Sequence, residues 1–205
     1  MKYVFLHGLG QTPHSWQPVL SRLKPQIQAT CPDLFLGVKD GNVSYDALYS
    51  SLETYCAHLQ KPFCLCGLSL GGVLALQYTL DHPQKVQSLV LISAQASMPK
   101  GLLRVQNALF RIIPRSAFMG SGLEKEAMIA LCRSMMELDF SPRLHQIACP
   151  TLVLYGEKDR ANRKASIQLA ENISGSQLKI IPHAGHEVNT EAPQELTRTL
   201  TEFWT

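Results

Sequence analysis

A serine between glycines has the context of a catalytic nucleophile. The segment Gly67-Leu68-Ser69-Leu70-Gly71 follows a short apolar run, Phe63–Cys66, and precedes a helical pattern that starts at Gly72. A G-x-S-x-G segment between a strand and a helix forms a sharp turn that exposes the serine hydroxyl at the helix N-terminus. Taken alone, five such residues could equally be a glycine-rich turn that caps a helix. The strand before and the helix after favour the nucleophile.

A histidine and an aspartate that could serve this serine occur later in the chain. Asp159 follows the apolar run Thr151–Leu154, and His186 follows the apolar run Leu178–Ile181. The carboxyl ends of strands in an open parallel sheet meet at one edge, where such sheets place their sites. A neutral imidazole, with an ordinary pKa of about 6.5, can take the serine proton and return it to a leaving group.

Other assignments of these roles remain open from the residues alone. Glu157 is the alternative carboxylate, and Asp139 is a more distant one. Asp159 could instead act only as a helix N-cap, which is a common use of aspartate. His183 is better suited to a structural role than to catalysis.

Four motifs in a fixed order resemble the α/β-hydrolase superfamily. They are His7-Gly8-Leu9-Gly10, the Ser69 segment, Gly156-Glu157-Lys158-Asp159 and His183-Ala184-Gly185-His186. The resemblance implies that Ser69 is the nucleophile, Asp159 the acid and His186 the base. It also implies that the backbone N–H groups of Leu9 and Leu70 form the oxyanion hole. His7 itself is expected to be a buried turn histidine that is hydrogen-bonded to the backbone.

The elements that must position these residues alternate between strand and helix. Short apolar runs predict strands buried on both faces: Tyr3–Leu6, Phe63–Cys66, Val86–Ile92, Thr151–Tyr155 and Leu178–Ile181, with a weaker strand at Ile27–Cys31. Helical patterns fill the gaps: Trp16–Leu23, Ser44–Leu59, Leu70–Leu80, Ala161–Ile173 and Pro193–Phe203. We therefore predict an α/β-hydrolase fold, with about six mostly parallel strands flanked by helices. The chain opens at the family's third strand, so the usual antiparallel hairpin is not expected.

A long segment interrupts this alternation between the fourth and fifth strands. About fifty residues, far more than an ordinary crossover, separate Ser93 from Thr151. Apolar residues recur at helical spacing over Leu102–Ile113 and Leu123–Leu138, with breaks between them. We predict a helical lid insertion at about residues 97–147 within one domain that spans residues 1–205.

Composition excludes several functional classes. The 205 residues carry 19 Lys and Arg against 16 Asp and Glu, and no basic tract suggests a nucleic-acid partner. The apolar start is too short for a signal peptide or a membrane span, and the six cysteines form no C-x-x-C pair. These features predict a cytoplasmic protein with reduced thiols, without stable membrane insertion. We see no motif for a cofactor or a metal.

The expected function is hydrolysis of a small to medium acyl ester or thioester through an acyl-enzyme intermediate, with a small-molecule acyl substrate. A second hypothesis resembles the menaquinone-pathway lyases of the superfamily, which would require Arg104, Arg111 or Arg115 to hold an anionic substrate beside Ser69. A third is a ligand receptor that keeps the fold without turnover. The fold alone does not separate these three functions.

Overall fold

Six strands form one sheet in which every neighbouring pair is parallel. The computed structural model describes residues 1–36, 38, 43–98, 101, 112–114 and 123–205. Within them the strands lie in the order β2-β1-β3-β4-β5-β6. Their bounds are β1 Lys2–Leu6, β2 Gln28–Thr30, β3 Phe63–Leu68, β4 Val86–Ile92, β5 Thr151–Gly156 and β6 Gln177–Ile181. The predicted fold class, including the number of strands, is confirmed.

Helices cover both faces of this sheet. The α-helices are α1 Gln17–Leu20, α2 Tyr45–Ala57, α3 Leu70–Asp81, α4 Lys125–Ser134, α5 Arg160–Asn172, α6 Val188–Glu191 and α7 Pro193–Trp204. Among the described residues, 3₁₀ helices span Pro13–Trp16 and Ser141–Gln146. Apolar residues of α2, α3, α4 and α5 pack in one core cluster, whereas those of α1 and α7 pack in the other. No helix in this described part of the chain is long and apolar enough to cross a membrane.

Alternation along the central strands builds the two cores. In β1, Val4 and Leu6 join the first cluster, while Tyr3 and Phe5 join the second. Successive side chains of a strand point to opposite faces, so a strand that is apolar at every position serves both cores. This burial fixes the central strands and thereby the loops at their carboxyl ends.

The edge strand β6 differs from its prediction. The run Leu178–Ile181 was expected to be buried on both faces, but Leu178 is 39% exposed and Ile180 is 52% exposed. Only Ile181 of this strand is buried. An edge position leaves one side of a strand without a neighbour, and an apolar run alone does not distinguish an edge from a centre.

The insertion is described only in part. The predicted helix over Leu102–Ile113 lies outside the described residues except at its last two positions. The predicted helix over Leu123–Leu138 is observed as the shorter α4. Its residues Met128 and Leu131, and Met135 that caps it, are buried in the first core cluster. These methionines therefore serve as core.

Candidate active site

The Ser69 turn is strained at the serine itself. Ser69 lies between β3 and α3 with φ 53° and ψ −115°, a left-handed φ that is rare for a residue with a side chain. Its backbone N–H donates to the carbonyl of Ile92 at 2.8 Å, and its carbonyl accepts from Val73 N–H at 3.0 Å. These bonds from β4 and α3 hold the turn. Strain of this kind persists only where the surroundings enforce it, and it is concentrated at functional sites.

Two glycines allow the turn to pack this closely. A Cβ atom at Gly67 would lie 2.1 Å from the carbonyl oxygen of Gly71. A Cβ atom at Gly71 would lie 2.4 Å from the carbonyl oxygen of Leu6, at the end of the neighbouring strand β1. Any side chain at either position would push backbone away from backbone. Gly67 is therefore explained by contact with the start of α3, and Gly71 by contact with the strand that precedes the His7–Gly10 turn.

The acid and base candidates meet at the same edge of the sheet. Asp159 follows β5 and His186 follows β6, and His186 Nδ1 lies 2.9 Å from Asp159 Oδ2. The Asp159 side chain is 3% exposed and that of His186 is 42% exposed. Because a carboxylate only accepts hydrogen bonds, Nδ1 carries the proton and donates it to this contact. The Nε2 atom is then left as the acceptor.

Hydrogen bonds keep Asp159 ionised in spite of its burial. Burial alone would raise the pKa of Asp159, but hydrogen bonds from His186 and Asn162 lower it to about 2. Asp159 also accepts the backbone N–H of Asn162 at 3.2 Å as the N-cap of α5. Asp159 therefore caps α5 and contacts His186 with the same carboxylate. The capping role and the contact with the histidine are not alternatives.

The histidine loop is attached to the aspartate loop by backbone bonds. Lys158 N–H donates to the carbonyl of Ala184 at 2.8 Å, and Glu157 N–H donates to that of Ile181 at 2.9 Å. Glu191 then brackets His186, because its carboxylate accepts from Gly185 N–H at 2.7 Å and from Glu187 N–H at 3.1 Å. These contacts fix the backbone on both sides of the imidazole.

The His7–Gly10 turn lies beside the serine. A Cβ atom at Gly8 would lie 3.6 Å from the Cβ of Ser69. In the described part of the chain, neither Leu9 N–H nor Leu70 N–H has a protein acceptor. For Leu70 this follows from its place in the first turn of α3, where N–H groups lack partners within the helix.

His7 has the structural role expected of it. The side chain is fully buried, its Nδ1 donates to the carbonyl of Gly8 at 3.0 Å, and its Nε2 accepts from Leu34 N–H at 3.1 Å. Burial lowers the pKa of His7, although the Gly8 carbonyl and Asp33 favour the charged form. A neutral ring with one donor and one acceptor satisfies both contacts, so His7 holds the turn and the segment around Leu34 together.

The structure separates the alternative residues from this pair. Glu157 is 57% exposed and lies 3.7 Å from the exposed His183. Among the described residues, neither of these side chains is hydrogen-bonded to Asp159 or His186. Asp139 accepts from Ser141 N–H in the second half of the insertion. The arginines that the lyase hypothesis requires, Arg104, Arg111 and Arg115, lie outside the described residues. No hydrogen bond among the described residues joins the Ser69 hydroxyl to His186.

One residue of the site was not identified from sequence. The Nδ2 atom of Asn162 lies 3.0 Å from each oxygen of Asp159 and 3.1 Å from His186 Nδ1. Gln95 in turn donates to Asn162 Oδ1 at 2.8 Å. Asn162 lies in the segment Arg160-Ala161-Asn162-Arg163, directly after the candidate acid. The signal was an amide side chain one helical turn after the candidate acid.

Comparison with known proteins gives one family. The sequence model described as the alpha/beta hydrolase family matches residues 3–199. The biotin biosynthesis bifunctional protein BioHC of Cellvibrio japonicus is 26% identical over 98% of this chain, which spans 47% of that protein. The pimeloyl-[acyl-carrier protein] methyl ester esterase of Edwardsiella ictaluri is also 26% identical, over 98% of this chain and 92% of the esterase.

A solved structure shares the whole architecture. The enol-lactonase from Burkholderia xenovorans LB400 superposes with a TM-score of 0.87, over 99% of this chain and 90% of the lactonase. The two sequences are 19% identical. At this identity the likeness shows the common fold.

Proposed function

Because the chain belongs to the alpha/beta hydrolase family, we propose that it is a serine hydrolase that cleaves small to medium acyl esters or thioesters through an acyl-enzyme intermediate. Its relatives include ester-cleaving hydrolases, which supports an enzyme of this general kind. The observation that carries the proposal is the strained Ser69 at the carboxyl edge of the sheet that also bears the Asp159–His186 pair.

In the proposed first step, the Ser69 oxygen attacks the acyl carbonyl carbon while His186 Nε2 takes the hydroxyl proton. Asp159 accepts the Nδ1–H of the ring, so it holds the tautomer that leaves Nε2 free and stabilises the imidazolium that forms. With a pKa of about 2, Asp159 is ionised throughout the neutral range. The Ser69–His186 hydrogen bond has to form as substrate binds, since such bonds are often long in unliganded enzymes.

The developing negative charge on the carbonyl oxygen would be held by two backbone donors. Leu9 N–H and Leu70 N–H, which have no protein acceptor in the described chain, supply them. Loss of one such donor typically costs about 3 kcal/mol of transition-state stabilisation. Collapse of the tetrahedral intermediate breaks the bond to the alcohol or thiol, and His186 returns the proton to that leaving group.

The second half of the reaction uses water in place of the alcohol or thiol. His186 Nε2 takes a proton from water, whose oxygen attacks the acyl-serine carbonyl. The carboxylic acid leaves and Ser69 recovers its proton. We propose that the insertion at about residues 97–147 acts as a helical lid over this site and sets the acyl length.

Initial rates on p-nitrophenyl esters from acetate to laurate test the proposal. Ser69→Ala should abolish turnover, while Ser21→Ala, at an exposed serine bonded weakly to the Pro18 carbonyl, should leave it unchanged. Full activity in Ser69→Ala would refute the assignment. A wild-type protein inert on every ester would favour the lyase or receptor hypothesis.

A further inference from the structure

Two buried amide side chains join the loops on either side of the proposed site. Gln11 Nε2 donates to Asn189 Oδ1 at 3.1 Å, and Asn189 Nδ2 donates back to Gln11 Oε1 at 3.1 Å. Gln11 is 3% exposed and Asn189 is fully buried, although the two are 178 positions apart in the chain. A reciprocal amide pair of this kind fixes distance and orientation together, because both donors and both acceptors must match.

On one side the pair holds the His7–Gly10 turn. Gln11 Oε1 also accepts the backbone N–H of Gly8 at 3.3 Å, and Gln11 N–H donates to the Gly8 carbonyl at 3.2 Å. Gly8 is thus bonded through both its backbone groups to one residue. Leu9, the next residue, carries the N–H proposed as an oxyanion donor, so the position of that donor depends on Gln11.

On the other side the pair holds the segment after His186. Asn189 lies three residues after His186, in α6, and its Nδ2 also donates to the carbonyl of Ser15 at 3.1 Å. Both hydrogens of this amide are therefore used. Both side chains are withdrawn from solvent, since Gln11 is 3% exposed and Asn189 is fully buried. A polar pair in such a place is costly unless fully bonded, whereas apolar side chains would fill the space without fixing orientation.

We propose that Gln11 and Asn189 are positioning residues that hold the oxyanion turn and the histidine loop in register for catalysis. This inference rests on the proposed hydrolase function. The pair touches neither substrate nor the reacting atoms. It acts through Gly8 on the Leu9 donor and through α6 on the backbone that follows His186.

The first test compares Gln11→Leu, Asn189→Leu and the double variant on the p-nitrophenyl ester that the wild type hydrolyses fastest. Because the two amides act as one unit, each single variant and the double variant should lower kcat by a similar factor, about 10- to 100-fold, with KM nearly unchanged. Affinity for phenylboronic acid, whose tetrahedral adduct with serine puts an oxygen in the oxyanion position, should fall by the same factor. Asn172→Leu, at an exposed asparagine bonded to the Gln168 carbonyl, should change none of these quantities.

A second variant keeps the proposal testable if the leucine variants do not fold. In Gln11→Glu the Oε1 contacts remain, but an ionised Oε2 would face Asn189 Oδ1, and two acceptors repel. Protonation restores the donor, and burial raises the pKa of such a carboxyl. The ratio of variant to wild-type kcat/KM should therefore fall as the pH rises from 5 to 8. Titrations common to both proteins cancel in this ratio.

The outcomes are distinguishable. Folded leucine variants with wild-type kcat and boronate affinity, or a Gln11→Glu ratio that does not change with pH, would overturn the positioning role alone. A wild-type protein that neither hydrolyses esters nor binds the boronate would overturn the proposed function and this inference with it. Parallel losses of kcat and boronate affinity at constant KM would support the inference.

Discussion

The serine turn and the acid–histidine pair are held in different ways. Ser69 is constrained by backbone in close contact: its φ of 53° is enforced between β3 and α3, and Gly67 and Gly71 admit no side chain. Asp159 accepts side-chain hydrogen bonds from Asn162 and from His186, and backbone bonds join the two loops. Backbone packing of the first kind is signalled by two glycines close together in the chain, and it leaves no room for a methyl group at either of them. A side-chain network of the second kind is assembled from distant residues and should weaken by steps.

The largest expected effect concerns the acid. Asp159→Asn keeps the size of the side chain but removes the charge that selects the histidine tautomer, so kcat should fall by about 10⁴-fold. Steady-state kinetics on a p-nitrophenyl ester measures this loss. Glu157→Gln is the matched control, because Glu157 is exposed and contacts His183 instead of His186. A loss below tenfold in Asp159→Asn would remove Asp159 from the proposed mechanism.

The next effect tests the close backbone contact. A Cβ atom at position 71 would lie 2.4 Å from the Leu6 carbonyl, so Gly71→Ala should lower the free energy of unfolding by about 3 kcal/mol. Urea unfolding measures the change. Gly175→Ala is the control: Gly175 has φ 70° but no heavy atom within 4 Å of its added Cβ, so only backbone strain of about 1 kcal/mol is expected. Equal losses at both sites would show that close packing at the turn is unimportant.

The side-chain network also predicts a pH dependence of stability. The pKa of Asp159 is lowered from its ordinary 3.8 to about 2, so the ionised form stabilises the fold fully above about pH 4. That contribution, about 2 kcal/mol, is lost as the pH falls from 4 to 2, because protonation then favours the unfolded chain. Between pH 5 and pH 2 the wild type should lose about 2 kcal/mol more of unfolding free energy than Asp159→Asn does. Parallel curves for the two proteins would contradict the network.

The smallest effect concerns the amide that supports the acid. Asn162→Ala removes the Nδ2 donor to both oxygens of Asp159, while the backbone cap at Asn162 N–H remains. We expect kcat to fall about tenfold, equivalent to one hydrogen bond to a charged group. Asn172→Ala, near the end of the same helix, should leave kcat unchanged. An unaltered kcat in Asn162→Ala would mean that His186 and the backbone cap suffice to orient the carboxylate.

The same contrast explains what the sequence could predict. The order of elements, the parallel sheet and the turn around Ser69 follow from apolar runs and from glycine spacing over a few residues. The contacts of Asn162 and the Gln11–Asn189 pair join segments far apart in the chain, and an amide carries no periodic signal that would identify its partner. The predicted burial of β6 is wrong for a related reason. An apolar run does not reveal whether its strand has one neighbour in the sheet or two.

The central claim is that Ser69 is the residue that becomes acylated. The most direct measurement is intact mass after reaction with a fluorophosphonate, followed by peptide mapping of the adduct. We expect one adduct per chain on the peptide that contains Ser69, none in Ser69→Ala, and wild-type labelling in Ser21→Ala. Labelling at another residue in place of Ser69, or ester hydrolysis that continues in a protein fully labelled at Ser69, would contradict the account.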